Sequence, residues 1–359
     1  MIQNAPVCRR ADRRLKHDQK KNRKAGLHVY LTKGLAFILT GMLLVLSSCK
    51  EDEKTRKSYL PDSVGAINSL AVVIDNELWK GDVGDEIREY YAAPVDGLPM
   101  EEPIFAIHQI PLSIFKGSTT RSRNILLVEK DSTTSSGVST DTFARPQKVG
   151  VIKAPDSGTM IDLIAETSKE YIEEFKANDI KEKQHRFYTS LNKETYVQKK
   201  FGISLTMPSI YKTKEEEDNF IWIERVIPKG SMHVFVYELP LNSIPNDSTR
   251  VDAFIKIHDS IGKKYVPGRE EGMYMITQKA YAPYIFDITL AGKPTIETKG
   301  MWEMKNFAMA GPFVNYIIRD EENNRLLVLE GLTFAPSVDK RDYMFELEAI
   351  LKSVEFISK

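Results

Sequence analysis

The sequence predicts an α+β fold of mainly antiparallel sheets covered by helices. Three observations predict it: short β-branched runs recur along the chain, helical periodicities are inserted singly among them, and consecutive runs follow one another as meanders. A polar stretch, 181–198, divides these elements into two subdomains, 63–190 and 199–359.

In the first subdomain, residues 66–74 (AINSLAVVI) form a continuous apolar run expected of a buried strand. A helix is expected next. Asp82 or Asp85 can cap it, and Val83, Ile87, Tyr90 and Tyr91 share one face before Pro94 ends it. Strands are expected at 103–110, 123–129 and 147–153. The Ser/Thr-rich segment between the last two (KDSTTSSGVSTDTFARP) reads as a mobile hairpin insertion. From Thr159 to Ile180, near-helical spacing of Ile161, Ile164, Tyr171, Ile172 and Phe175 predicts an amphipathic helix covering one face of a sheet.

The second subdomain restarts with strands in FGISLTMP, NFIWIERVI and MHVFVYELP. A helix is expected over TRVDAFIKIHDSIGKKYVP, with Val251, Phe254, Ile255, His258 and Ile261 inward. Strands near 272–278, 284–291, 295–304, 312–319 and 325–333 follow, with a turn at 321–324, and RDYMFELEAILKSV closes the chain as a helix. In order of elements this half loosely resembles the PsbP-type α/β/α sandwich, an analogy of topology that carries no function.

The start of the chain is of a different kind. Residues 1–33 hold ten of the basic residues and only Asp12 and Asp18 as acids, and Gly34–Leu46 (GLAFILTGMLLVL) is apolar. A basic region, a short apolar core and the small residues Ser47 and Ser48 describe a signal peptide over 1–48, too short in its core to span comfortably. Leu46-Ser47-Ser48-Cys49 resembles the bacterial lipobox, in which the cysteine sulfur receives a diacylglyceryl group and becomes the first mature residue. A second acyl chain makes such anchoring durable. The alternatives are a non-lipidated signal peptide or an uncleaved anchor. The basic region is long, and a true start near Leu27 or Val29 would fit the pattern better. Residues 49–62 form a charged tether, in which Lys50-Glu51-Asp52-Glu53 resembles the lipoprotein export signal of the Bacteroidota. That implies the cell-surface side of the outer membrane, with the periplasmic leaflet as the alternative.

Composition narrows the function classes. The chain carries 50 basic and 50 acidic residues, and loss of 1–48 leaves 40 and 48, a net charge of −8. That argues against nucleic acid as a partner. Cys8 leaves with the leader and Cys49 takes lipid, so stability comes from a core, not a disulfide, and no thiol is left as nucleophile. No dinucleotide-binding, P-loop, zincin, nucleophile-elbow or CxxC motif occurs, and no catalytic, metal or cofactor residue is assigned. His17 and His28 fall in the leader, and His108, His185 and His258 are scattered without a metal-ligand pair. His258-Asp259-Ser260 cannot be a triad, because consecutive helical residues point about 100° apart.

Two stretches stand out. In ELWKGDVGDEIREYY, Trp79, Gly81, Gly84 and Arg88 outline either an anion-binding turn or a packed structural one. Met273, Met275, Met301, Met304 and Met309, with Trp302, outline either a soft apolar binding surface or core packing around Gly311-Pro312. Asp131-Ser132-Thr133 and Asp247-Ser248-Thr249, and more weakly Asp62-Ser63-Val64, resemble O-glycosylation motifs of exported Bacteroidota proteins, which makes Ser132 and Ser248 candidate acceptors.

Taken with the lipobox at Cys49, the stretches ELWKGDVGDEIREYY, RNILLVEK and MWEMKNFAMAGPFVNY resemble a Bacteroidota lipoprotein family, domain of unknown function 4837, over essentially the whole mature chain. The resemblance implies an envelope location and transfers only Cys49 as a functional position. The function expected is a lipid-anchored envelope protein that binds a protein or glycan partner. The alternatives are a hydrolase of envelope polymers using Glu77, Asp82, Asp85 and Glu86, or a carrier of an apolar ligand in the methionine-rich half.

Overall fold

The computed structural model describes residues 59–357; the expected signal peptide (1–48), Cys49 and Lys50–Glu53 lie outside them. It shows an α+β architecture with a mixed sheet and a curled antiparallel sheet.

The first half runs β1 (Ser69–Val73), α1 (Asn76–Lys80), α2 (Asp82–Tyr91), β2 (Ala106–Ile110), β3 (Asn124–Lys130), β4 (Ser135–Thr140), β5 (Lys148–Ala154) and α3 (Ser157–Phe187). Its sheet has the order β2-β1-β3-β5-β4, and only β4 is antiparallel to its neighbour. The antiparallel expectation is therefore corrected here. The physical reason lies in β1, whose apolar residues face both ways. Leu70, Val72 and Ile74 pack under α2 and α3, while Ala71 and Val73 join Ile125 and Val149 on the opposite face. Burial on both faces is the mark of a parallel strand. The α-helices cover one face; on the other, Leu112 from a short 3-10 turn and Phe115 and Phe143 from loops close over the strands.

The Ser/Thr-rich segment forms a hairpin, as expected, in which Ser135–Thr140 pairs with Lys148–Lys153 as an edge strand. One further expectation changes. The first helix after β5 does not end at Ile180. Asp156 caps α3, its Oδ1 accepting from Thr159 N at 3.0 Å, and the helix continues through the polar residues 181–187 to Phe187.

The second half runs α4 (Tyr196–Phe201), β6 (Ile203–Ser204), β7 (Lys212–Glu217), β8 (Phe220–Ile227), β9 (Gly230–Pro240), α5 (Arg250–Tyr265), β10 (Met275–Thr277), β11 (Tyr284–Leu290), β12 (Lys293–Met304), β13 (Ala310–Asp320), β14 (Arg325–Phe334), α6 (Arg341–Leu351) and β15 (Glu355–Phe356). The main sheet, β10-β12-β13-β14-β9-β8-β7, is antiparallel throughout, and β11 pairs with β12 beside β10. Alternation along β8, β9 and β14 sends one set of apolar side chains toward α6 and the other toward α5. The result is a helix–sheet–helix sandwich. FGISLTMP supplies only the two residues of β6, and the charged β7 (KTKEEE) gave no strand signal in the sequence.

The end of α3 reaches the second half. Lys183 Nζ lies 2.8 Å from Glu346 on α6, and Gln184 Nε2 donates to Ala349 O at 2.9 Å. Near the start of β1, Asn68 donates its backbone N–H to Asp179 (2.9 Å) and its side chain to Asp342 (3.0 Å). A buried Arg123 faces the same Asp179 carboxylate.

Candidate functional site

Fully buried polar residues are the features that cost a fold most, so they are where a site is sought first. One such group lies under α5. Helical spacing puts Phe254, His258 and Gly262 on the face toward the sheet, and Gly262 allows contact with the Met275 backbone, since a Cβ there would lie 2.1 Å from the Met275 oxygen. His258 Nε2 is 2.9 Å from Glu330 Oε1 in the middle of β14, and Nδ1 is 2.8 Å from Thr277 Oγ1 on β10. The second carboxylate oxygen of Glu330 accepts from Asn315 Nδ2 at 3.0 Å and from the Tyr237 hydroxyl at 3.4 Å. Burial and the neighbouring Glu330 push the Tyr237 phenol well above its ordinary range, which keeps it a donor. The imidazole is stacked against Phe313, with centroids 4.8 Å apart.

With Glu330 as the acceptor, Nε2 carries the proton and Nδ1 accepts from the Thr277 hydroxyl. That is the polarity of a hydroxyl–imidazole–carboxylate relay. Thr277, His258 and Glu330 are all buried, however, and the clefts described below do not reach Thr277. In this arrangement the chain of hydrogen bonds ties α5 to β10, β14, β13 and β9. His258 is thus inward as expected, and it does not engage Ser260, whose hydroxyl bonds to Ile257 O.

A second group, without a motif of its own in the sequence, lies on β8 and β9. Ser231 Oγ is 2.8 Å from His233 Nε2, and Glu224 Oε1 is 3.6 Å from Nδ1. The triad-like order is defeated by Trp222, whose indole N–H donates to Nδ1 at 3.0 Å. An indole nitrogen can only donate. Nδ1 is therefore the bare nitrogen, and Nε2–H points at Ser231 instead of taking its proton. Burial, aided by the Lys214 charge, lowers the His233 pKa to about 3, so the ring is no base for a serine at neutral pH.

The sequence-predicted residues fall as follows. Arg88 lies over the Trp79 ring, its Cζ 4.5 Å from the centroid, and is ion-paired to Asp85. Gly84 lets α2 begin against α1, since a Cβ there would lie 1.9 Å from Trp79 O. These contacts are those of a packed turn. Glu77, Asp82 and Asp85 are exposed and Glu86 is half-buried on the outer sides of α1 and α2. Trp302 is buried and donates to Thr333 O, Met275 is fully buried, and Met273, Met301, Met304 and Met309 are half-buried. Met273 and Met304 enclose Gly268. His108 and His185 are exposed and far from one another in the chain; Ser132 and Ser248 are exposed in turns whose Asp131 and Asp247 cap Thr133 and Thr249. Among the described residues, no group of three His, Cys, Asp or Glu is placed to hold a metal.

A cleft of about 890 Å³ lies beside α4 and is lined by Lys199, Lys200, Phe201, Arg325 and Phe356. Two of its cations are already engaged: Lys200 with Glu216, and Arg325 with Asp320, Glu238 and the Phe201 carbonyl. A neighbouring cleft of about 360 Å³ runs past Tyr188, Tyr196 and Ile223.

Residues 190–353 match a family model described as Domain of unknown function (DUF4837). The chain carries a DUF4837 domain. Residues 63–188 match a separate model, Domain of unknown function (DUF8532). The DUF4837 match thus covers the second half, with both histidine groups, and not the whole of residues 49–359; ELWKGDVGDEIREYY and RNILLVEK belong to the DUF8532 domain. No curated protein matches the chain. Among solved structures, the chain is similar to a point mutant of the protein Mog1 (8% identity, 44% of this chain and 92% of that one, TM-score 0.29). It is also similar to the Saccharomyces cerevisiae Ran-binding protein Mog1p (9%, 44% and 91%, TM-score 0.27) and to a Pseudomonas aeruginosa protein of unknown function titled a putative regulator (10%, 42% and 94%, TM-score 0.24). Likenesses of this size carry nothing about the activity of the DUF4837 domain.

Proposed function

We propose that this chain is a lipid-anchored envelope lipoprotein of the Bacteroidota, and that its DUF8532 and DUF4837 domains form a binding body for an envelope protein or glycan. The observation that carries the reading is Cys49, set directly after a 13-residue apolar core and two serines and followed by an acidic tether. Lys50-Glu51-Asp52-Glu53 supports export to the surface of the outer membrane, with the periplasmic leaflet as the alternative. The competing hydrolase would need two of Glu77, Asp82, Asp85 and Glu86 to converge on a pocket, and these four stand on the outer sides of α1 and α2. Carriage of an apolar ligand would need the methionines open to it, whereas Met275 is fully buried and Met273 and Met304 close around Gly268.

Labelling cells with a fatty-acid analogue, combined with protease shaving, tests attachment and sidedness together. The wild-type chain is expected to take label and to be shaved from intact cells, and Cys49→Ser to lose both label and membrane association. Unchanged processing and membrane association in Cys49→Ser would overturn the anchor. Failure of crosslinking in native cells to recover an envelope partner would overturn the binding role.

A further inference from the structure

Two of the edge strands of the antiparallel sheet, β7 and β11, are finished differently. β7 reads KTKEEE and is bulged between Thr213 and Glu215, the charge and irregularity that keep an edge from pairing with another chain. β11 reads YIFDITL, pairs with β12 in unbroken register over all seven residues, and has neither a lysine nor a bulge. Its Tyr284 and Phe286 are 50% and 38% exposed.

The hairpin fixes which way the β11 backbone points. Ala291 and Gly292, with φ of 50° and 74°, make the two-residue turn that closes on the Leu290–Lys293 pair. In such a turn the flanking pair exchanges hydrogen bonds, and alternation then directs the N–H and C=O groups of Ile285, Asp287 and Thr289 away from β12. Among the described residues nothing pairs with these backbone groups, which face outward.

We propose that β11 is a dimerisation edge, occupied by β11 of a second copy of this chain in antiparallel register about a two-fold axis at Asp287. In that register Ile285 and Thr289 pair across the axis through the outward backbone groups. On the face toward α6, Phe286 lies against Ile288 of the second copy, and Tyr284 against its Leu290. Every cross-strand pair on that face is then apolar, and the exposed rings of Tyr284 and Phe286 are covered. On the other face the two Asp287 side chains meet, which alone would oppose pairing. Each is already held by Arg250 of α5, whose Nη1 lies 3.0 Å from Oδ2, while the Asp287 side chain remains 75% exposed. Two arginines and two carboxylates thus neutralise one another at the axis. A pattern that complements itself under a two-fold is what an isologous interface requires, and it singles out a second copy over an unrelated strand.

Dimerisation through β11 does not depend on the lipid anchor, so the test is run on the full chain carrying Cys8→Ser and Cys49→Ser in mild detergent. Sedimentation is expected to show a dimer. Phe286→Lys is expected to weaken it by about tenfold or more with the far-UV signal and melting temperature unchanged. Asp287→Cys, which puts two cysteines across a hydrogen-bonded pair within disulfide reach, is expected to give an oxidised dimer, and Thr213→Cys on β7 is not. A monomer at all concentrations overturns the proposal, as does a dimer that withstands Phe286→Lys or crosslinks equally through Thr213→Cys.

Discussion

His258 and Glu330 face each other inside the second domain, Nε2 to Oε1 at 2.9 Å, with neither side chain open to solvent. Glu330 is also the acceptor for Asn315 and Tyr237, so its removal leaves three buried donors without a partner. Breaking one side of a buried pair costs about 3–5 kcal/mol, whereas replacing both sides by well-packed apolar groups can be close to neutral. Glu330→Ala is therefore expected to lower unfolding free energy by several kcal/mol. His258→Phe combined with Glu330→Met should lose much less than the sum of the two single changes. A urea-unfolding double-mutant cycle measures this, and additive losses would show that the pair does not act as a unit.

His233 makes stability depend on pH. Its folded pKa, about 3, lies below the ordinary 6.5, so the unfolded chain binds the extra proton between those values. The contribution is present above pH 6.5 and is lost as pH falls from 6.5 toward 3. The charged groups facing the ring are Lys214, which lies over Trp222, and Glu224. His233→Gln can still accept from Trp222 but does not titrate. Between pH 6.5 and 4, wild type should lose on the order of 2–3 kcal/mol more than His233→Gln, read from urea midpoints across that range. Parallel pH profiles for the two proteins would refute the assignment.

Legibility in the sequence followed the range of the interactions involved. β9, β14, α5 and α6 bury one or two regular faces, and a periodic pattern within ten to sixteen residues is enough to find them. β7 was invisible because all but one of its six residues are charged and it is a strand only through pairing with β8. The parallel order of the first sheet was half visible: the apolar residues of β1 occupy both parities, but which strand lies beside it is decided by Ala71 meeting His108 and Ile125, 37 and 54 residues away. The inward direction of His258 could be read from the helix stripe. Its partner Glu330 could not, lying 72 residues on in a strand between Leu329 and Gly331. Trp222 and His233 are only 11 residues apart on adjacent strands, and alternate positions across a hairpin would have been the signal to follow.

Glu102 joins the two halves through a helix end. Its two carboxylate oxygens accept the backbone N–H groups of Lys340 and Arg341, at 2.7 and 2.8 Å, where α6 begins 238 residues later. Those N–H groups belong to the unpaired set at a helix start, and a carboxylate there also meets the positive end of the helix dipole. Arg341 returns a hydrogen bond to the Pro103 carbonyl, so the contact locks in both directions. Glu102→Ala should cost about 1–2 kcal/mol, in line with loss of a cap, and Glu102→Gln, which keeps one acceptor oxygen, should cost less. Because α6 packs on the sheet of the second domain while Glu102 belongs to the first, the loss should appear as earlier hydrogen exchange at the start of α6 along with the lower urea midpoint. A variant that lowers neither would mean that α6 is held by its apolar face alone.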